Sequence, residues 1–214
     1  MTRGTCAAGL LATFLTAGTL HAQSVPEVKL PASPRGSAEV QVGGTWAKTQ
    51  EGGQRYEGGK WITVDYGRPV LRGRENIFGS GADYGRTVAG EDAVWRAGAN
   101  ATTRLSTQVP LDMGGTQVPP GTYNVFVDLK PGAWALVLST QPIQERYDPN
   151  DKVKLYGAYN YDPKFDVVRL PMKVSTSPVS VEQFTIGFVD VKGDRASLAM
   201  WWDTTVAVAE FRIR

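Results

Sequence analysis

Apolar residues along this chain gather in short β-rich runs separated by turn signals. In Lys60-Trp61-Ile62-Thr63-Val64-Asp65-Tyr66 the residues Ile62, Val64 and Tyr66 fall on one face of an extended segment, the period of a half-buried strand. Similar β-rich runs follow at 102–109, 122–127, 134–138, 155–161, 167–174, 181–191, 196–202 and 205–213. Turn signals separate them: Pro119-Pro120-Gly121, Pro131-Gly132, Asp162-Pro163-Lys164-Phe165-Asp166 and Lys192-Gly193-Asp194, the last a tight hairpin. No stretch of a dozen residues holds an apolar stripe at helical spacing, and one helical turn near Glu91–Trp95 is the most the pattern allows. Short strands punctuated in this way predict an all-β fold, an antiparallel β-sandwich of jelly-roll-like type. Composition does not break along residues 37–214, so they read as a single domain.

Two segments before the first of these runs lack its alternation. Residues 23–36 form an extended lead-in punctuated by Pro26, Pro31 and Pro34, and the Gly-rich stretch 43–59 reads as a long hairpin arm or a loose loop. Ahead of them stands Met1-Thr2-Arg3, then an uncharged run of apolar and small residues from Cys6 to Thr19, then Leu20-His21-Ala22. This is the plan of a secretory signal peptide cleaved after Ala22. The run is shorter than the roughly 20 apolar residues that span a bilayer, although a retained anchor helix is the other reading. No later segment is long and apolar enough to span, so the mature chain is expected in the periplasm or outside the cell, without a transmembrane segment.

Cleavage changes the chemistry available. The chain of 214 residues has one Cys and one His, and both Cys6 and His21 lie in the leader. Residues 23–214 therefore carry no thiolate nucleophile, no imidazole base, no disulfide and no His- or Cys-ligated metal. No Gly-x-Ser-x-Gly or Ser-x-x-Lys pattern occurs either. No cofactor, no metal site and no catalytic residues are expected; carboxylate chemistry is what remains. Lys and Arg number 23 against 21 Asp and Glu, a net charge of +2, which leaves no footprint for nucleic acid.

A set of less generic blocks runs through the chain: Asp65-Tyr66-Gly67-Arg68-Pro69, Ile77-Phe78-Gly79, Val94-Trp95-Arg96-Ala97-Gly98-Ala99-Asn100, Pro120-Gly121-Thr122-Tyr123 and Gly157-Ala158-Tyr159-Asn160-Tyr161-Asp162. In this order they resemble the bacterial domain-of-unknown-function 2911 family, over nearly all of residues 32–213. The resemblance implies an exported bacterial β-sandwich without an assigned activity, so it transfers no catalytic residue. Added residues near 45–59, 86–93 and 145–154 depart from the family pattern.

Between residues 68 and 104 every cation is Arg: Arg68, Arg72, Arg74, Arg86, Arg96 and Arg104. Arg suits bidentate recognition of carboxylate or phosphate and stacking on rings. Arg68, Arg74 and Arg96 with Tyr84, Trp95 and Asn100 are the candidate lining of an anion or sugar-acid pocket. Against this, Asp65, Glu75, Asp83, Glu91 and Asp92 lie in the same stretch, and a network of ion pairs tying loops to the sandwich is the favoured alternative. Trp201-Trp202 should place one ring in the core and one outward. Asp148-Pro149-Asn150-Asp151 offers oxygen ligands without calcium-loop spacing and reads as a solvated turn. Gly79-Ser80-Gly81 precedes no helix and is not a phosphate loop. Two functions fit: a non-catalytic binding or interaction module of the envelope, serving as an accessory subunit or taking a small anionic or sugar ligand, and a carboxylate-dependent glycan-binding or glycan-processing protein.

Overall fold

The computed structural model describes residues 31–214; the expected leader, its cleavage point and most of the Pro-punctuated lead-in lie outside the described residues. Twelve strands account for most of it: β1 (Arg35–Val42), β2 (Thr45–Lys48), β3 (Gln54–Glu57), β4 (Lys60–Gly67), β5 (Thr103–Thr107), β6 (Leu111–Met113), β7 (Thr116–Val118), β8 (Gly121–Asp128), β9 (Ala135–Ser139), β10 (Asp166–Pro171), β11 (Lys173–Lys192) and β12 (Arg195–Ile213). They form a six-stranded sheet in the order β1-β4-β5-β8-β9-β10, a four-stranded sheet in the order β11-β12-β6-β7 and the small β2-β3 hairpin. All of the strand pairs are antiparallel. The fold is therefore all-β, two sheets packed face to face.

The two-residue period explains the packing. Ile62, Val64, Leu105, Val125, Val127, Leu136 and Leu138 point inward from the larger sheet and meet Phe184, Ile186, Leu198, Met200 and Phe211 of the smaller one in a single core. One end of that core is closed by aromatics. Trp95 and Trp202 stack 6.1 Å apart at 13°, while Phe78 and Phe184 approach Trp95 edge-on at 5.6 and 5.0 Å, the offset and T-shaped geometries that ring quadrupoles favour. Phe78 and Trp95 belong to the long connection between β4 and β5, so this cluster fastens that connection to the sandwich. As expected for adjacent strand residues, Trp202 is buried and Trp201 faces the other way, over Gly187.

Several elements differ from the sequence pattern. The 155–161 run is not a strand: Gly157 and Asn160 take positive φ, which breaks the extended backbone. The runs 196–202 and 205–213 form one strand, because Asp203 adopts φ +50 and the register with β11 shifts around it. The interruption is a bulge that bends β12 and does not end it. The helical turn lies at Arg86–Ala89 and not at Glu91–Trp95. The stretch 43–59 is a hairpin arm, and strand structure begins at Arg35, just inside the expected lead-in. The Lys192-Gly193-Asp194 hairpin is present, with Gly193 at φ +61 and Lys192 opposite Arg195.

The segment 140–162, which has no strand of its own, is held by buried side-chain amides. Gln141 donates to the carbonyls of Val153 (2.8 Å) and Asn160 (2.7 Å) and accepts from the amide of Asp162 (2.9 Å). Replacing Gln141 by Ala strands two carbonyls and one N–H, each costly to leave unpaired in the interior. We expect Gln141→Ala to lose about 1–3 kcal/mol in urea titration, with faster amide exchange confined to 141–162. Unchanged exchange there would show that the amide does not hold the segment.

Candidate functional site

The site arises from β8 being buried on both faces. Tyr123, Val125 and Val127 face the sandwich core, whereas Phe126 on the opposite face joins a second small core with Val94, Val137, Leu155 and Ala158. Ile143 and Tyr161 pack against that second core. The 140–162 segment thus covers the outer face of the six-stranded sheet at β8 and β9. Asn124 secures it by donating to the Gln141 carbonyl at 2.7 Å. Toward β10, Tyr161 donates to Asp166 at 2.6 Å, and Arg169 bridges Asp166 (2.9 Å) and Asp128 (2.8 Å). Burial and the bond to Asp166 both push the Tyr161 hydroxyl well above its ordinary pKa.

The cover stops at β8. Beyond it the outer faces of β5, β4 and β1 are open, and the step between covered and open sheet forms a cleft of about 590 Å³. Asp65 and Arg104 stand opposite each other on β4 and β5. Arg35 at the start of β1 and Asn100 in the β4–β5 connection close one side, and Glu145 and Tyr156 of the cover close the other. Gly67 forms part of the wall where the chain of residues 97–102 crosses β4: a Cβ there would overlap the Ala99 carbonyl oxygen. Thr102 ties the same loop to the cover by donating to the Gly157 carbonyl at 3.0 Å.

The aromatic wall is wider than one ring. Tyr147, 55% exposed, lies 5.2 Å from Tyr156 and 6.1 Å from Tyr159. Lys152 donates to the Tyr159 hydroxyl at 2.9 Å, a bond that raises the lysine's pKa. Asp151 accepts from the amides of Val153 and Lys154, both at 2.9 Å, and these bonds lower its pKa. Asp148 likewise accepts from the Asn150 amide at 2.8 Å. The Asp148–Asp151 stretch is therefore built as side-chain-capped turns. Among the described residues no group of three or more His, Cys, Asp or Glu is placed to hold a metal ion.

Charge that is not spoken for lines this cleft; the other grooves hold mostly paired charge beside Asp190, Arg195 and Glu75, which make no ion pair among the described residues. Among the described residues, Arg35, Asp65, Arg104 and Glu145 make no ion pair, and their side chains take no part in the hydrogen bonds observed. The groove beside the β6–β7 turn holds Asp112 paired with Arg214, Glu210 with Lys173 and Arg212 with Asp194. In the groove under Arg74, Asp203 accepts from the Asn76 amide and the Ser180 hydroxyl, and Glu182 accepts from the Arg72 amide.

The six residues singled out from sequence do not line one pocket, and of them Arg96 and Asn100 are hydrogen-bonded to each other. Trp95 is 1% exposed within the aromatic cluster, and Tyr84 accepts from the Trp134 indole at 2.7 Å. Arg68 reaches across to β11, donating to the Phe184 carbonyl (3.4 Å) and to Thr185 (3.3 Å). Arg74 donates to the carbonyls of Leu71 (2.9 Å) and Val70 (2.8 Å) and lies over the Trp202 ring. Arg96 donates to the Asn100 carbonyl at 3.0 Å and approaches Asp92 at 4.0 Å. Of the six, Asn100 lines the cleft. These arginines do tie loops to the sandwich, but mostly through main-chain carbonyls; in that stretch ion pairs form at Arg86–Glu91 and Arg96–Asp92. Arg35, Glu145 and Tyr156 were missed because three distant segments supply them. The available signal was the outward position of Asp65 and Arg104 on strands whose alternate residues are core.

Two outcomes test this construction. Asp151 is held ionised by amides of the native loop, so its contribution is fully present above the ordinary carboxylate range and is lost as pH falls through its lowered value. Acidification should loosen 145–160, read as amide exchange or tyrosine fluorescence, and Asp151→Asn should remove that pH dependence. Separately, Gly67→Ala should displace the 97–102 loop and destabilise the fold by about 1–3 kcal/mol in thermal or urea unfolding, whereas Gly121→Ala, where an added Cβ meets nothing nearer than 3.4 Å, should leave the loop in place.

Comparison with curated proteins and with solved structures finds no match. A family model described as a protein of unknown function, DUF2911, matches residues 48–211. The match spans the covering segment, the connection that carries Trp95 and Asn100, and both long strands of the smaller sheet, and so most of the chain: this protein belongs to the DUF2911 family.

Proposed function

We propose that this chain is a non-catalytic binding module of the periplasm or cell envelope, and that its cleft takes a sugar. The observation that carries this is the charge set of the cleft: Arg35 and Arg104 with Asp65 and Glu145, unpaired among the described residues, beside the Tyr156 ring. A purely anionic ligand would meet two carboxylates and a purely cationic one two guanidiniums, whereas vicinal hydroxyls donate to the former and accept from the latter. The tyrosine face supplies the apolar surface that the C–H side of a sugar ring needs. Export is supported by the leader pattern of residues 1–22, and a non-catalytic role by the loss of His21 and Cys6 with it.

Binding of cellobiose and chitobiose to the purified protein, measured by calorimetry, tests the proposal. Asp65→Asn and Arg104→Gln should each weaken the better of the two by roughly tenfold or more, because each removes a hydrogen bond to a charged group. Absence of binding to either sugar would overturn it. Turnover of a bound sugar that is lost in Asp65→Asn or Glu145→Gln would assign a glycosidase instead, since both carboxylates share the cleft.

A second reading, docking within an envelope complex, is favoured by the β2–β3 arm. Trp46 at its base is 68% exposed and, with Tyr56 and Val191, borders a hollow of about 410 Å³. Exposed aromatics of this size suit an interface. Recovery of a defined envelope partner that is lost in Trp46→Ala but kept in Asp65→Asn would select it.

A further inference from the structure

The open sheet beyond the cleft continues the same chemistry. On the larger sheet Arg35, Ser37, Glu39 and Gln41 of β1, Trp61, Thr63 and Asp65 of β4, and Arg104 and Ser106 of β5 alternate with core residues and face outward. Register places them in rows. Ser37, Asp65 and Arg104 lie side by side, and next to them Glu39, Thr63, Ser106 and Thr122; Gln41 and Trp61 are opposite each other at the far end. The Ser106 and Thr122 hydroxyls are 2.9 Å apart and hydrogen-bond to each other. The covering segment that buries this face at β8 and β9 does not extend over β1, β4 and β5, where these side chains are exposed or half-buried.

Trp61 ends the strip. Its side chain belongs to a residue 44% exposed, yet its backbone is pinned: Trp61 N donates to the Gln108 side-chain oxygen at 2.8 Å, and the Gln108 amide donates to the Trp61 carbonyl at 3.0 Å. A fixed backbone under an exposed indole makes a stacking platform in which only the side-chain rotamer is left to order. From Asp65 in the cleft to Trp61 is four residues along β4, roughly 13 Å, more than one pyranose ring covers.

Resting on the saccharide reading of the cleft, we infer that the ligand is a polysaccharide chain, laid along the outer faces of β4 and β5 from the Tyr156 wall to Trp61. Chain polymers of sugar present hydroxyls at short intervals and an apolar face at each ring, matching short polar side chains between two aromatic ends. Other occupants fit less well. Nucleic acid phosphates would face Asp65, Glu39 and Glu145. A protein partner needs an apolar interface centre, and Trp61 is the one large apolar side chain among these outward positions. An extended peptide would pair with a strand edge and not with the face.

Calorimetric titration of the purified protein with cello- and chito-oligosaccharide ladders tests the inference. Affinity should rise about tenfold from the disaccharide to the longer oligomers in one of the two series. In Trp61→Ala that rise should vanish while disaccharide binding is kept, with circular dichroism confirming an unchanged fold. A disaccharide that binds as tightly as the longest oligomer, or a Trp61→Ala variant that retains the length dependence, overturns the track but leaves the cleft. Failure of every member of both ladders to bind overturns the cleft reading and the track together.

Discussion

Everything distinctive about this molecule depends on two neighbouring strands, β8 and β9, having both of their faces removed from water. A sandwich needs each sheet to bury one face only; β8 buries two, with Val125 and Val127 in the main core and Phe126 in a second, smaller one. The second core has no sheet to complete it, so an irregular segment must do so, and irregular backbone is costly to bury unless its polar groups are paired. Gln141, Gln144 and Asn160 supply that pairing. Gln144 donates to the Lys154 carbonyl at 3.0 Å and accepts from the Asp148 amide at 2.8 Å, and Asn160 donates to the carbonyls of Asp151 (2.7 Å) and Lys154 (3.0 Å). The loop is therefore built to stay in place, and its border creates the cleft.

The arginines divide by the same logic. Those in the long β4–β5 connection donate to main-chain carbonyls, and a guanidinium with five donors is suited to collecting them. Arg68 and Arg74 do this at the junction of the two sheets, and Arg96 does it within the loop that forms one side of the cleft. Arg104 instead projects from a regular strand whose carbonyls are already paired, and its head takes no part in the ion pairs and hydrogen bonds of the described residues. Strand position alone does not free a cation, since Arg169 on β10 is held by Asp166 and Asp128.

Balanced charge in the cleft also bears on recognition. Two cations and two anions close together give little long-range steering, so under the proposed saccharide role selectivity would come from short-range geometry. That suits a site that discriminates by the placement of hydroxyls and ring faces. It also explains why the net charge of the chain, +2, carries no hint of the site.

Much of the fold was legible in the residues themselves. The period-two run of β4, the β-rich runs of β5, β8 and β9, the Gly193 hairpin and the split of Trp201 and Trp202 between two faces are local properties, set by backbone geometry and by which side chains avoid water. So were the family blocks, and the loss of imidazole and thiol that cleavage of the leader would bring. The local pattern could not tell a turn from a bulge at Asp203, because both interrupt alternation and only the register with β11 separates them. Nor could it tell the buried loop at 155–161 from a strand, since both need apolar residues. The cleft belongs entirely to tertiary structure: Arg35, Asp65, Arg104, Glu145 and Tyr156 are spread over 122 positions, and they meet only because antiparallel pairing sets β1, β4 and β5 side by side and the cover ends where it does.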